Sequence, residues 1–287
     1  MRILLTGARG FTGRHFAAQA ETAGHMVVPL GADLTDASAV QDEAQAAAAD
    51  AVVHLAAISF VGHADASAFY AVNLMGTLNL LDALAALPRA PRQVLLASSA
   101  NVYGNADASP IRESQPPAPV NHYAMSKLAM EHLSRTYADR LPIVLARPFN
   151  YTGTGQAPNF LIPKLVDHFA RRAPEISLGN LHVEREFNDV RMVCAAYLRL
   201  LDSGVAGQTY NVCSGQPYTL GAVLEMLRDL TRHTLEVKQN PAFVRANEVH
   251  RLCGDPSSLL QATGPLPPYP LQDTLAWMLD SHPTAPR

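Results

Sequence analysis

The chain has 287 residues, 48% apolar and 16% charged, with a formal net charge of -3. That composition is too apolar for a disordered chain, and it carries no field of either sign that points to nucleic acid or a membrane surface as partner. The length suits one principal domain with a smaller appendage; the three cysteines, Cys194, Cys213 and Cys253, fall in no C-x-x-C or metal spacing and suit a reducing cytoplasm.

Residues 2–6 read as a strand that begins at once, with no charged segment and long apolar run before it, so no signal peptide is expected. No stretch reaches the roughly 18 unbroken apolar residues of a membrane span, and a cytoplasmic location is the expectation. A Gly-rich segment at 7–13 and a helix to about Ala23 follow. Further strand-like runs stand at 26–30, 51–57, 93–98 and 142–147, separated by helical patterns at 37–49, 65–87 and 123–140. Apolar strands alternating with helices predict an α/β fold of the Rossmann type, a doubly wound parallel sheet covered on both faces. Beyond residue 150 the texture is richer in Gly, Pro and Thr, with helices expected near 160–172, 190–203 and 219–231. Pro clusters at 265–270 and 283–286 predict a C-terminus that hugs the surface.

Thr6-Gly7-Ala8-Arg9-Gly10-Phe11-Thr12-Gly13 joins the first strand to the first helix. Glycines there permit a tight turn and close approach of backbone N–H groups to a pyrophosphate at a helix N-terminus. A site that prefers NAD usually carries an acid at the end of the second strand, and Val27-Val28-Pro29-Leu30-Gly31 has none. Asp33 and Leu34 are read as framing the adenine and Asp36 as capping the next helix. Arg9 and Arg14 are placed either to meet a 2′-phosphate or as solvated surface charges, so NAD against NADP stays open.

Ser98-Ser99-Ala100-Asn101-Val102-Tyr103-Gly104 follows a strand, at the sheet edge where ligands sit in such folds. Tyr123 and Lys127 lie four apart and share one helix face. A free tyrosine titrates at about 10, and a neighbouring ammonium is expected to lower that value. With a serine hydroxyl on the same oxygen, the trio suits proton transfer at a carbonyl coupled to hydride transfer. Lysine is rare, only Lys127, Lys164 and Lys238, which makes each position informative.

These motifs give the chain a resemblance to the extended short-chain dehydrogenase/reductase family of the NAD-dependent epimerase/dehydratase type, and within it to the GDP-4-keto-6-deoxy-D-mannose reductases. It rests on T-G-x-x-G-F-x-G at 6–13, H-L-A-A at 54–57, N-x-x-G-T at 73–77, S-S-x-x-V-Y-G at 98–104 and Y-x-x-x-K at 123–127. It continues through R-P-F-N at 147–150, R-E-F-N-D-V at 185–190 and N-V-C-S-G at 211–215. The resemblance implies Ser99, Tyr123 and Lys127 as catalytic residues, with Tyr123 as proton donor. It implies NAD(P)H as cofactor, held by Gly7, Arg9, Gly10, Phe11, Thr12, Gly13, Asp33, Leu34, Leu55, Ala56, Ala57, Asn73, Ala97 and Arg147 together with Tyr123 and Lys127. For a nucleotide sugar, with a GDP-sugar favoured, it implies Ser59, Ser99, Asn101, Asn150, Phe160, Lys164, Arg185, Arg245 and Glu248.

Sugar-nucleotide dehydratases of the same family place acidic residues directly after the catalytic hydroxyl. Ala100 and Asn101 stand there instead, and neither shuttles a proton, which disfavours dehydration. The expected reaction is reduction of the 4-keto group of a GDP-4-keto-6-deoxyhexose; the alternatives are a nucleotide-sugar 4-epimerase and a non-catalytic dinucleotide sensor. Residues 1–150, with 187–215 returning to them, are expected to form the dinucleotide domain, and 151–186 and 216–287 the nucleotide-sugar lobe. The eleven histidines contain no H-x-x-x-H pair on a helix, so no metal is expected. The broad apolar faces of 65–87 and 123–140 fit a homodimer joined by a four-helix bundle.

Overall fold

The computed structural model describes residues 1–61, 64–106, 108–240 and 251–284. The chain opens with β1 (Arg2–Thr6), α1 (Phe11–Thr22), β2 (Met26–Pro29), α2 (Ala37–Ala47) and β3 (Ala51–His54). A helical run follows, from α3 (Ala66–Tyr70) through a π turn (Ala71–Met75) into α4 (Gly76–Ala85). Next come β4 (Gln93–Ala97), a 3-10 turn (Ala100–Tyr103), α5 (His122–Arg135) and β5 (Ile143–Pro148). The second half holds β6 (Tyr151–Thr152), α6 (Leu161–Ala170), β7 (Glu175–Leu178), β8 (Glu184–Glu186), β9 (Asn188–Asp189), α7 (Val190–Ser203) and β10 (Thr209–Val212). It closes with β11 (Pro217–Thr219), α8 (Leu220–Thr231), β12 (Glu236–Gln239), β13 (Arg251–Leu252), α9 (Ser257–Thr263) and α10 (Leu271–Asp280).

Six strands form one sheet in the order β2-β1-β3-β4-β5-β10, and every pairing is parallel. The period-2 pleat sorts its apolar side chains into two layers. Ile3, Leu5, Val53, Leu95 and Val144 pack on one face with Phe16 of α1 and Val193, Tyr197 and Leu200 of α7. Leu4, Val52, Val94, Leu96 and Leu145 pack on the other with Val40 of α2, Leu80 and Leu84 of α4, and Met130 of α5. The chain winds outward from β1 to β2 and returns to β3 on the far side of β1. The switch point between β1 and β3 therefore opens a crevice at their carboxyl ends, the position where doubly wound sheets bind ligands.

The helical run Ala66–Ala85 is long and apolar enough by length and composition to cross a membrane. Here its Leu80, Leu81 and Leu84 are buried against the sheet. The sequence pattern predicts one continuous helix there, and the π turn in its middle has no local signal.

Beyond the sheet, α6, α8 and α10 enclose a separate core of Ile162, Leu165, Phe169, Val223, Leu227, Leu271 and Leu275. β8 lies between an antiparallel β11 and a parallel β13, and β7 pairs with β12, so this lobe is mixed. The Pro-rich run 265–270 lies at or near the surface, with none of its residues buried. Pro270 (φ -55°) directly precedes α10, where a missing N–H costs no helical hydrogen bond, and α10 buries Leu271 and Leu275.

Candidate active site

The turn between β1 and α1 is built by close approach. Gly7 has φ +71°, and a Cβ on it would stand 2.7 Å from the backbone nitrogen of Ala56; a Cβ on Gly13 would stand 2.1 Å from the carbonyl oxygen of Gly7. Only glycine fits either place. Gly10 caps α1 without any side-chain hydrogen bond, so the first N–H groups of the helix face the crevice. A cavity of about 700 Å³ opens there, lined by Gly7, Arg9 and Gly10 on one side and by Pro29, Gly31 and Glu43 on the other. The shape, the glycine-only contacts and the open helix N-terminus fit the pyrophosphate and adenosine end of a dinucleotide.

Behind the turn lies a buried chain of polar groups. Thr6 Oγ1 accepts from the N–H groups of Leu55 and Ala56, each at 3.1 Å, so its one proton goes to His54 Nδ1 at 2.7 Å. His54 Nε2–H then donates to Thr77 Oγ1 at 2.9 Å, and Thr77 donates to the carbonyl of Asn73 at 2.7 Å. Burial depresses the His54 imidazole to about 3, with the Lys127 charge acting in the same direction, so it is neutral at ordinary pH. Leu55 and Ala56 are fixed in this way, while Ala57 continues the half-buried segment.

The chemical groups meet at the end of β4. Ser99 caps the 3-10 turn, and its Oγ accepts from Asn101 N at 3.2 Å and from Asn101 Nδ2 at 3.1 Å, which leaves its own proton to donate. Its side chain lies near enough to the phenol of Tyr123, in the first turn of α5, to favour the phenolate. Lys127, 2% exposed, donates to the carbonyl of Ala97 at 2.7 Å. The sequence predicts a tyrosine made more acidic by its lysine. The structure differs: burial pushes the Tyr123 phenol above its ordinary value, and the nearby Ser99 hydroxyl opposes this only in part. Burial also pulls Lys127 down to about 8, against the carboxylate of Glu131, which raises it.

Two residues expected to touch the cofactor have other work. The guanidinium of Arg147 pairs with Glu131 through Nε (2.8 Å) and Nη2 (2.6 Å) and lies 4.8 Å over the Tyr103 ring. Both partners are almost fully buried, so the Arg147 side chain is committed to the core behind Lys127. Asn73, buried in the π turn, accepts from Ile58 N at 2.9 Å and donates to the Ile58 carbonyl and to Ser126 Oγ. It holds the segment after β3 onto α5 and presents no free polar atom to a ligand.

At the adenosine end, Asp33 is exposed and accepts from Thr35 N and Oγ1, and Leu34 is buried with its Cβ in the place a Gly76 side chain would need. Only Oδ1 of Asp33 is engaged in these contacts. Asp36 caps α2, as its position predicts. Arg14 is held by the carbonyls of Arg9 and Gly155, whereas the exposed Arg9 side chain has no hydrogen bond or ion pair among the described residues. Phe11 stacks on Tyr151 at 6.1 Å, and Thr12 Oγ1 meets the Tyr151 hydroxyl at 2.8 Å.

Toward the second lobe, Ser59 is exposed in the segment after β3, and the adjoining Phe60 meets Phe160 edge-on at 5.9 Å. Asn150 is half-buried, its carbonyl accepting from Asn188. Lys164 Nζ donates to the Ser177 carbonyl at 3.0 Å, and Arg185 on β8 donates to its neighbour's carbonyl. Arg245 and Glu248 lie outside the described residues. Sequence reasoning missed Glu43, Phe60, Glu131 and Tyr151, each of which enters through a contact distant along the chain.

The model of the NAD dependent epimerase/dehydratase family matches residues 3–213. Over 270 residues the chain is 38% identical to a GDP-6-deoxy-D-talose 4-dehydrogenase from Aggregatibacter actinomycetemcomitans, covering 92% of each chain. Over 293 residues it is 38% identical to a GDP-6-deoxy-D-mannose reductase from Pseudomonas aeruginosa, covering 97% of this chain and 96% of that one. The structure of RMD from Pseudomonas aeruginosa complexed with NADPH is similar at TM-score 0.91 and 36% identity, over 98% of both chains.

Proposed function

The chain belongs to the NAD dependent epimerase/dehydratase family, as an NAD(P)-dependent nucleotide-sugar oxidoreductase, and on that premise we propose that it reduces the 4-keto group of a GDP-4-keto-6-deoxyhexose to give a GDP-6-deoxyhexose. The observation that carries the reading is the Ser99–Tyr123 pair beside Lys127, with Ala100 and Asn101 in place of any second acid–base pair. The names of the two relatives at 38% identity support the GDP-sugar and the carbon position.

NAD(P)H, when bound, supplies the hydride that goes to C4. The turn at Gly7–Gly13 would hold its pyrophosphate at the N-terminus of α1, and Tyr123 and Lys127 would serve its nicotinamide end. Ser99 Oγ–H and the Tyr123 phenol both donate to the C4 oxygen of the sugar. As negative charge develops on that oxygen, Tyr123 gives up its proton to form the alcohol. A phenol held protonated by burial suits this donation better than it suits removal of a proton. Lys127 carries positive charge below about pH 8 and stabilises the phenolate left behind.

Asn150, Phe160, Lys164 and Arg185, with Arg245 and Glu248, are assigned to the nucleotide diphosphate on the resemblance. Residues 1–150 with 187–215 make the dinucleotide domain in this reading, and 151–186 with 216–287 the sugar-nucleotide lobe. A homodimer through α4 and α5, near the exposed Met75 and Met125, and a cytoplasmic location belong to it as well.

The experiment is incubation of the pure protein with NADH or NADPH and a panel of 4-keto nucleotide sugars, with identification of the product. The expected product is a GDP-6-deoxyhexose formed with stoichiometric oxidation of the cofactor. Interconversion of C4 epimers without net oxidation, together with one equivalent of NAD released on denaturation, would replace the reading with a 4-epimerase.

A further inference from the structure

We propose that Glu43, on α2, sets the cofactor choice of this protein, taking the role that an acid at the end of β2 usually has. This deepens the reading above, because it rests on the cavity between the Gly7–Gly10 turn and α2 being the seat of the adenosine ribose. The second strand ends Pro29-Leu30-Gly31 and offers no acid of its own. Glu43 reaches back to the same place from the helix: its Oε2 accepts from Gly31 N at 2.6 Å, and it lines the cavity with Arg9 and Gly10.

Two features leave this carboxylate open to a ligand. Gly31 has no side chain; a Cβ there would stand in van der Waals contact with Glu43 Oε1, at 3.7 Å, and glycine leaves that side of the oxygen open. β2 is the edge strand of the sheet, so no further strand shields the cavity on that side. With Oε2 tied to the backbone, Oε1 is free to accept from the 2′-hydroxyl of an adenosine ribose. A 2′-phosphate at the same point would meet a fixed negative charge.

The cavity also has a counterweight. Arg9 is exposed and lines the same cavity, and its guanidinium has no partner among the described residues. Arginine is a good multi-donor partner for phosphate. The rim thus carries one acceptor for a diol and one cation for a phosphate, and the two residues act on cofactor choice in opposite senses. Glu43 favours NADH, Arg9 favours NADPH, and removal of either moves the preference toward the cofactor read by the other.

Direct titration of NADH and NADPH into the wild type, Glu43→Gln and Arg9→Gln tests this. Glutamine at 43 keeps a carbonyl oxygen for Gly31 N, and thermal unfolding of each variant checks that the loop survives. Glu43→Gln should weaken NADH at least about tenfold, as loss of a hydrogen bond to a charged group does, and leave NADPH unchanged or tighter. Arg9→Gln should weaken NADPH about tenfold and leave NADH within about twofold. A folded Glu43→Gln protein with an unchanged NADH to NADPH affinity ratio overturns the inference. Failure of the wild type to bind either dinucleotide would instead overturn the reading on which it rests.

Discussion

Glu131→Gln perturbs the charged pair beneath the active site. The Glu131 carboxylate is fully buried and accepts three hydrogen bonds, from Ser98 Oγ (2.5 Å), Arg147 Nε (2.8 Å) and Arg147 Nη2 (2.6 Å). Glutamine keeps one acceptor and turns an NH2 toward donors. Arg147, 3% exposed and already without a partner at Nη1, is left as an uncompensated buried cation. Removing one partner of such a pair costs about 3–5 kcal/mol. At roughly 2–4 °C per kcal/mol for a protein of this size, the melting temperature should fall by about 10 °C. The same change removes the one group that raises the Lys127 ammonium, so Lys127 should lose its proton at lower pH than the wild-type value of about 8. The alkaline limb of the pH–kcat profile should then move down in the variant that remains folded. Scanning calorimetry and a pH–rate series measure both effects. A melting temperature within about 2 °C of wild type, with an unmoved alkaline limb, would refute the argument that this pair holds and charges the catalytic lysine.

Tyr123→Phe should lower kcat by at least about 100-fold while dinucleotide affinity, measured by titration, stays within a few-fold; a rate above about a tenth of wild type removes Tyr123 as the proton donor. Gly13→Ala places a Cβ 2.1 Å from the Gly7 carbonyl oxygen. The turn must shift, so NADH and NADPH should both weaken at least about tenfold, and unaltered binding would mean that the turn does not hold the cofactor. His54 has its folded value depressed to about 3 from the ordinary 6.5, so the unfolded chain binds the extra proton between those limits. Stability present above pH 6.5 is therefore lost as pH falls toward 3, with a slope of about 1.36 kcal/mol per pH unit from this one group. His54→Gln, whose amide can accept from Thr6 and donate to Thr77, should flatten that slope by one proton in denaturant titrations; an identical slope in both proteins would exclude the imidazole as its source.

The parts legible in the sequence are those whose physics is local. The Gly7–Gly13 turn, the helical spacing of Tyr123 and Lys127 and the cap at Asp36 need only near neighbours, and the alternation of apolar strands and helices was enough for the parallel sheet. The motif around Arg147 is local and does not encode its side chain's partner, Glu131, which arrives from another element. Asn73 stands in a recognisable motif, yet its two amide ends are spent on Ile58 and Ser126, a fact that spacing does not encode. Glu43 carries no local signal in the sequence, because its contact with Gly31 comes from the packing of α2 against the end of β2. The short helices α9 and α10 are masked by flanking prolines, which read as breakers in sequence and act as helix boundaries in the structure.

A parallel sheet of six strands has two margins, and a bare margin invites another polypeptide to add itself as a strand. Both margins here are stoppered by a carboxylate. Next to β2, where Pro29 has no N–H to offer, the N–H of Gly31 is taken by Glu43. On β10, the N–H of Asn211 is taken by Glu113 at 2.8 Å instead of by a neighbouring strand, and the Asn211 amide donates to the Ile111 carbonyl. One backbone N–H at each margin is thus taken by a carboxylate of the same chain and is not offered to an added strand.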